Sequence, residues 1–395
     1  MTTYTILIIL SGLVIFSYLF DLVANKTKIP SVLLLLMLGI GLRFLVDYLQ
    51  IKTFNFLTIL PTLGTVGLIL IVFEGSLELK YDKYKNKVIK SAFLSAFTIL
   101  LITVTIITLI IYQITHKDLY TCIANAVPFS VISSAIAIPS AAALGNKDKE
   151  FVIYESSFSD ILGIIIFNFV ISNPSVSTSS FIGLGLSTFL IILLSAIACV
   201  VLLYIMGKLV HHIKFFLIIS ILILVYAIGQ SHHLSSLVLI LSTGLFLNNA
   251  DTIQHAWFRG IFLYKNLNND LSQLYQLSAE SAFILRTFFF VIFGFTMNIS
   301  ELNNTAVLAN GFFILATIYA IRFFCLKVFK KGSQVPILYI APRGLISILL
   351  YFNLPESLKI PQVGTSFLFL VVLGTSVVMT LGLMFSKREP NEIVA

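Results

Sequence analysis

Charge is what this chain has least of. Of its 395 residues only 11% are Asp, Glu, Lys or Arg, and 58% are hydrophobic. A soluble domain carries about 25% charged residues, so a soluble globular protein is excluded. The mean hydropathy of +1.02 points instead to a polytopic membrane protein. Cysteine is scarce too: Cys122, Cys199 and Cys325 stand alone in apolar runs, which excludes a disulfide framework or a cysteine metal site. The opening Met-Thr-Thr-Tyr-Thr has neither the basic segment nor the small-residue cleavage site of a signal peptide, so the first apolar run is expected to be a retained helix. Neither His-Glu-x-x-His nor Gly-x-Ser-x-Gly occurs, and no histidine neighbours the serines singled out below. An enzyme is therefore not expected. The net charge of +8 has no basic, aromatic-interleaved soluble segment behind it, so no nucleic-acid partner is expected. In membrane proteins such an excess collects in cytoplasmic loops.

What the chain does have is apolar length. About thirteen runs of roughly 16–28 residues are each near the 20 needed to span a bilayer. They are 4–24, 30–49, 57–77, 88–112, 120–144, 151–172, 181–208, 214–230, 233–249, 277–297, 304–331, 334–353 and 361–386. Counted alternately, one side receives clusters such as Lys80, Lys83, Lys85, Lys87 and Lys90, then Lys147 and Lys149, and finally Lys387 and Arg388. The other side receives only Lys52, Lys117 and Lys359. The positive-inside rule then puts the N-terminus outside and the C-terminus in the cytoplasm. The loop 250–276, with Trp257, Arg259 and Lys265, reads as an interfacial amphipathic helix.

The two halves echo each other in order. SVLLLLMLGIGLRF of the second run matches SLVLILSTGLFLNN of the ninth, and IVFEGSLEL of the third matches VIFGFTMNI of the tenth. The fifth run is interrupted at Ser-Ser-Ala-Ile-Ala-Ile-Pro-Ser and the twelfth at Ala-Pro-Arg-Gly-Leu-Ile-Ser. Inverted repeats with matched interrupted helices point to a transporter's midplane site. The expected fold is a single all-α transmembrane domain over 1–395. It holds two inverted six-helix repeats with broken crossing helices, about 4–172 and 214–386, joined by a linker helix at about 181–208.

The chemistry concentrates in Tyr154-Glu155-Ser156-Ser157-Phe158-Ser159-Asp160. A charged side chain at the centre of a bilayer helix costs roughly 2.5–3.5 kcal/mol and is functional by default. At about 100° per residue, Asp160 is turned about 140° from Glu155, so the two acids serve different partners. A carboxylate among hydroxyl and carbonyl oxygens suits a hard cation. A buried carboxylate also takes up a proton more readily than an exposed one, so protons and small cations can compete for Asp160. Ser133, Ser134 and Ser140 around Pro139 offer further oxygens. Arg343, after Pro342, is too costly to leave unpaired, and Glu155 is its expected counter-ion. Glu74 and Arg286 are accessory candidates, Arg286 approaching Asp160 or pairing with Glu280. Arg43, Asp47, Asp21 and Arg322 lie close enough to run ends to snorkel. His211–His212 and His232–His233 fall on opposite faces and read as interfacial.

These residues resemble the monovalent cation–proton antiporter superfamily, closest to its sodium–proton exchanger branch with small bacterial and archaeal members. The matching elements are Leu-Ile-Val-Phe-Glu74-Gly75-Ser-Leu-Glu-Leu, Glu155-Ser-Ser-Phe-Ser159-Asp160, Phe-Phe-Phe-Val-Ile-Phe-Gly294 and Ala-Pro-Arg343-Gly344. The resemblance implies an inverted-repeat fold with two crossing unwound helices and a homodimer whose core domain moves like an elevator. It places the family's aspartate on Asp160, its preceding glutamate on Glu155 and its arginine on Arg343. Two departures stand out. The usual Asn-Asp or Asp-Asp pair is Ser159-Asp160, and the Thr-Asp-Pro of the broken fifth helix is replaced by Ser133-Ser134-Ala135, with proline only at 139.

The expected function is secondary antiport of protons against Na+ or K+ by alternating access, electroneutral and one-for-one because one carboxylate remains. Asp160 is the shared proton and cation site, with Ser159, Ser133 and Ser156 as ligand oxygens and Ser134 as an accessory. No cofactor is expected beyond the transported ions. The expected surroundings are the lipid bilayer of the cell (inner) membrane and a second copy of the chain. The rival reading is a cation channel or gated ion pore, which requires a continuous polar face or a carbonyl filter; the polar clusters here are isolated.

Overall fold

The computed structural model describes residues 3–27, 29–50, 60–79, 85–141, 144–174, 178–208, 214–231, 234–253, 255–264, 266–297, 305–330 and 334–386. They form helices, with no strand among them. In lipid each backbone N–H and C=O must be satisfied within the protein, and a helix does this inside one segment. The helices are α1 (Thr3–Thr27), α2 (Ser31–Tyr48), α3 (Leu60–Glu78), α4 (Asn86–Thr115), α5 (Leu119–Ser130), α6 (Ser134–Ser140), α7 (Asn146–Ser172) and α8 (Thr178–Lys208). There follow α9 (Lys214–Ser231), α10 (Ser236–Asn248), α11 (Ala256–Phe262), α12 (Leu267–Thr296), α13 (Thr305–Phe329), α14 (Leu345–Phe352) and α15 (Thr365–Phe385). Among the described residues, eight helical stretches are long and apolar enough to cross a membrane, and four shorter ones are apolar.

Every expected run overlaps helix, with two adjustments. Only Ala256–Phe262 of the loop 250–276 is a separate α-helix, and the loop's last ten residues are the first turns of α12. In the fifth run, Pro139 does not make the break: the chain is extended at Val131 and Ser133, and Pro139 lies inside α6. The twelfth run is broken as expected, with a 3-10 turn at Ile337–Tyr339 and irregular chain before α14.

The chain gathers into two compact units. The first is Met1–Gly64, Asn86–Gly163 and Arg286–Ala395; the second is Thr65–Lys85 and Ile164–Leu285. In the first unit α4 packs on α5 and α13, α13 on α15, and α14 on α5. The buried face of α4, Ala92, Ser95, Ala96, Ile99, Leu100, Thr103 and Ile107, steps by three and four residues. Leu94, Phe97, Leu101 and Leu109 on its other face are exposed, which suits a helix whose outer solvent is lipid. The carboxyl-terminal half of α12 meets α2 backbone to backbone: a Cβ on Gly39 would lie 2.2 Å from Val291 O, and one on Gly294 2.4 Å from Leu36 O. Small residues permit such close helix approach in membranes.

In the second unit α10 packs on α8 and α9, and α11 on α8. Gly244 of α10 receives Ser76 and Phe73 of α3, and Asn249 Nδ2 donates to Leu79 O at 3.0 Å. Glu74 is half-buried on the same helix. Between α11 and α12, Tyr264 donates to Asp270, and burial followed by that carboxylate pushes its phenol above its ordinary range.

Candidate functional site

The site is built on the interruption of α5. Had that helix continued, the amides of Ile132, Ser133 and Ser134 would have donated to the carbonyls of Pro128, Phe129 and Ser130. Buried backbone groups left without partners cost free energy comparable to a lost hydrogen bond, so each needs a substitute. The Ile132 amide donates to Ser159 Oγ at 2.9 Å. The Ser133 amide donates to Pro342 O at 2.9 Å, where the two interrupted elements cross. The Ser134 amide donates to Asp160 Oδ2 at 3.1 Å.

Two of the stranded carbonyls, those of Phe129 and Ser130, are met by Arg343. Its Nε donates to Phe129 O at 2.8 Å and its Nη2 to Ser130 O at 3.3 Å, while Nη1 reaches Ala341 O at 2.9 Å. A guanidinium at the carboxyl end of α5 also opposes the negative end of the helix dipole. Its own amide is tied to Thr375 Oγ1 of α15 at 3.0 Å. Gly344 allows the crossing to close, since a Cβ there would lie 2.7 Å from both Ser133 Oγ and Ile136 Cδ1.

Here the expected pairing is corrected. Glu155 is not the counter-ion of Arg343. Its Oε2 accepts from Arg322 Nη2 of α13 at 2.9 Å, and its Oε1 accepts from Ser95 Oγ of α4 at 2.7 Å. Arg322 also donates to Ile337 O through Nε at 3.2 Å and Nη2 at 3.1 Å. Both members of the pair are only 1% exposed, so Arg322 does not snorkel. The reason is facial: Glu155 points toward α4 and α13, whereas Arg343 is spent on the carbonyls that the break in α5 exposes. The sequence carries a signal for Arg322, which stands about two turns inside the end of α13, deeper than a snorkelling end residue.

Asp160 is turned the other way, as its helical phase predicts, and is 5% exposed. Among the described residues, Asp160 Oδ1, Ser133 Oγ and Ser157 Oγ are buried with no hydrogen-bond partner. Ser157 is one turn before Asp160 on α7 and shares its face. The other serines are occupied: Ser159 Oγ accepts the Ile132 amide, Ser156 Oγ donates to Val152 O at 2.8 Å, and Ser140 Oγ to Ile136 O at 2.8 Å. Ser134 contributes its backbone amide. Arg286 Nη1 donates to Ala135 O at 3.1 Å. Arg43 pairs with Asp47 at 2.8 Å on an exposed face of α2. His211–His212, His232–His233 and several of the lysines used for orientation, among them Lys80, Lys83 and Lys387, lie outside the described residues. Among the described residues no group of three or more His, Cys, Asp or Glu is placed to hold a metal ion.

Two broken segments crossing beside a buried carboxylate on a third helix are the arrangement that the sequence resemblance implies. The family model described as sodium/hydrogen exchanger, transmembrane, matches residues 11–387. The chain belongs to the sodium/hydrogen exchanger family. It is thus a member of a transporter family, not an enzyme, and its membership supports cation–proton antiport as its activity. Two solved structures of a sodium proton antiporter, MjNhaP1 from Methanocaldococcus jannaschii, share the fold. One, at pH 8, is 21% identical with a TM-score of 0.70, covering 97% of this chain and 99% of that one. The other, from an electron-microscopy map, is 20% identical with a TM-score of 0.69, covering 97% and 95%. No curated protein sequence matches the chain.

Proposed function

We propose that this family member exchanges protons for a monovalent cation, Na+ or K+, at Asp160, one for one and without net charge movement. The observation that carries the reading is the state of the Asp160 carboxylate. One oxygen is anchored by the Ser134 amide, and the other is buried without a partner among the described residues, as are Ser133 Oγ and Ser157 Oγ. A dehydrated cation needs several oxygens, one of them anionic, and a proton needs the carboxylate alone. Occupancy by either neutralises the single charge, so both cannot be held at once, and the exchange is coupled. The Glu155–Arg322 pair is already neutral and contributes no charge to transport. Ser159 and Ser156 serve the site by supporting the broken segment and α7, while their oxygens retain lone pairs for a cation. Glu74 stays an accessory candidate in the second unit.

The proposal includes the two inverted repeats, about 4–172 and 214–386, with 181–208 as linker. It also includes residence in the cell membrane with the N-terminus outside, and assembly as a homodimer. The transported ion is substrate, and no resident cofactor is invoked.

The test is dissipation of a pH gradient in proteoliposomes on adding sodium, potassium or lithium, for wild type and Asp160→Asn. Wild type is expected to respond to at least one ion, equally with and without a clamped membrane potential, and Asp160→Asn to be silent. A mutant that exchanges like wild type overturns the site. A potential-sensitive response overturns the stoichiometry, and uncoupled cation flux down its gradient favours a pore.

A further inference from the structure

We infer that Arg286 is a positioning residue for Asp160: its guanidinium stands in for the backbone N–H that Pro139 lacks, and so holds α6, whose first amide grips the carboxylate. The inference rests on the reading of Asp160 as the exchange site. In an α-helix the amide of residue 139 would donate to the carbonyl of residue 135. Proline has no amide hydrogen, and the Ala135 carbonyl instead accepts from Arg286 Nη1 at 3.1 Å. The replacement donor comes from α12, 151 residues along the chain.

The consequence is large because α6 is short. It has seven residues, Ser134–Ser140, and an isolated helix below about 12 residues is marginal even with its hydrogen bonds intact. Losing one of its few intrahelical bonds weakens a large fraction of the element. Yet this helix carries the Ser134 amide that fixes Asp160 Oδ2. The extended residue before it is Ser133, whose Oγ is buried without a partner among the described residues. A fork of five N–H donors suits a carbonyl that must be held in a fixed direction. An arginine in an apolar segment is also costly enough that its retention implies a task. Arg286 is half-buried, and its guanidinium reaches α6 at Ala135 O.

The competing explanation is that Arg286 acts through its charge on the ion site. The two differ in what Pro139→Ala does. That substitution restores the amide at 139, so the carbonyl of Ala135 regains a backbone donor and Arg286 becomes dispensable; a purely electrostatic role would be untouched. The experiment compares wild type, Arg286→Met, Pro139→Ala and the double variant in the proteoliposome assay, reading apparent KM for the responding cation separately from maximal rate. Arg286→Met is expected to raise KM about tenfold, as loss of a supporting contact behind a metal ligand commonly does, with a smaller change in maximal rate. The double variant is expected to recover most of that loss.

Failure of Pro139→Ala to recover KM, or a wild-type KM for Arg286→Met, overturns the inference. If Arg286→Met does not assemble, monodispersity in detergent becomes the readout: recovery by Pro139→Ala supports the inference, and no recovery overturns it. A wild-type-like Arg286→Met beside a silent Asp160→Asn refutes only this positioning role, whereas an active Asp160→Asn refutes the site reading and this inference with it.

Discussion

Removing one member of the Glu155–Arg322 pair exposes how the site is braced. Arg322→Met leaves a buried carboxylate whose remaining partner is Ser95 Oγ at 2.7 Å. Glu155→Gln leaves a buried guanidinium with the Ile337 carbonyl at 3.1–3.2 Å and its Nη1 already unpartnered. Breaking a buried pair from one side costs about 3–5 kcal/mol, because the surviving charge is uncompensated, whereas replacing both members by neutral groups is often close to neutral. Each single variant should therefore lose about 3–5 kcal/mol, and the double Glu155→Gln/Arg322→Met should lose far less than their sum. The assay is a double-mutant cycle on the thermal unfolding midpoint in detergent. The same cycle with Arg343→Met serves as the control, since Arg343 shares no partner with Glu155 in the contacts described. Its effects should add to within about 0.5 kcal/mol. Strong coupling of Glu155 to Arg343, and none to Arg322, would refute the pairing and restore the assignment made from sequence.

Two further outcomes follow from local geometry. Gly294→Ala puts a Cβ 2.4 Å from the Leu36 backbone oxygen, and Gly344→Ala puts one 2.7 Å from the Ser133 hydroxyl. The first should lose about 1–3 kcal/mol of stability through overpacking, read as a lower unfolding midpoint. The second should displace a side chain and raise the cation KM more than it lowers stability. Outside the membrane segments, Asp118 caps α5 by accepting the Thr121 amide at 2.9 Å, and that hydrogen bond holds its carboxyl below the ordinary range. Its folded value is the depressed one, so its contribution is present above the unfolded value near 3.9 and is lost as pH falls through the folded value. Asp118→Ala should cost about 1 kcal/mol at neutral pH, and wild type and variant should converge on acidification below that range.

Some of this protein was determined by sequence alone. With so few charges, apolar segments of bilayer length have one low-cost solution, the helix that satisfies its own backbone; membrane residence and the order of helices follow from that. The angular separation of Glu155 and Asp160 is a property of one helix, and it predicted correctly that they face different neighbours. Polar and proline residues in the fifth and twelfth runs announced the interruptions, although the fifth opens at Val131–Ser133 and leaves Pro139 inside α6.

Tertiary structure alone decided who pairs with whom. Arg322 and Arg343 are both arginines deep in apolar surroundings, and nothing local ranks them as partners for Glu155. The choice depends on where α13 and α4 lie against α7, and on which carbonyls the break in α5 strands beside Arg343. Likewise Ser159 and Ser133 look alike as candidate ligands in sequence. Only the crossing assigns one to a backbone amide and leaves the other's oxygen unpartnered. Period and composition act within one segment, while hydrogen bonds between segments are set by packing of residues far apart in the chain.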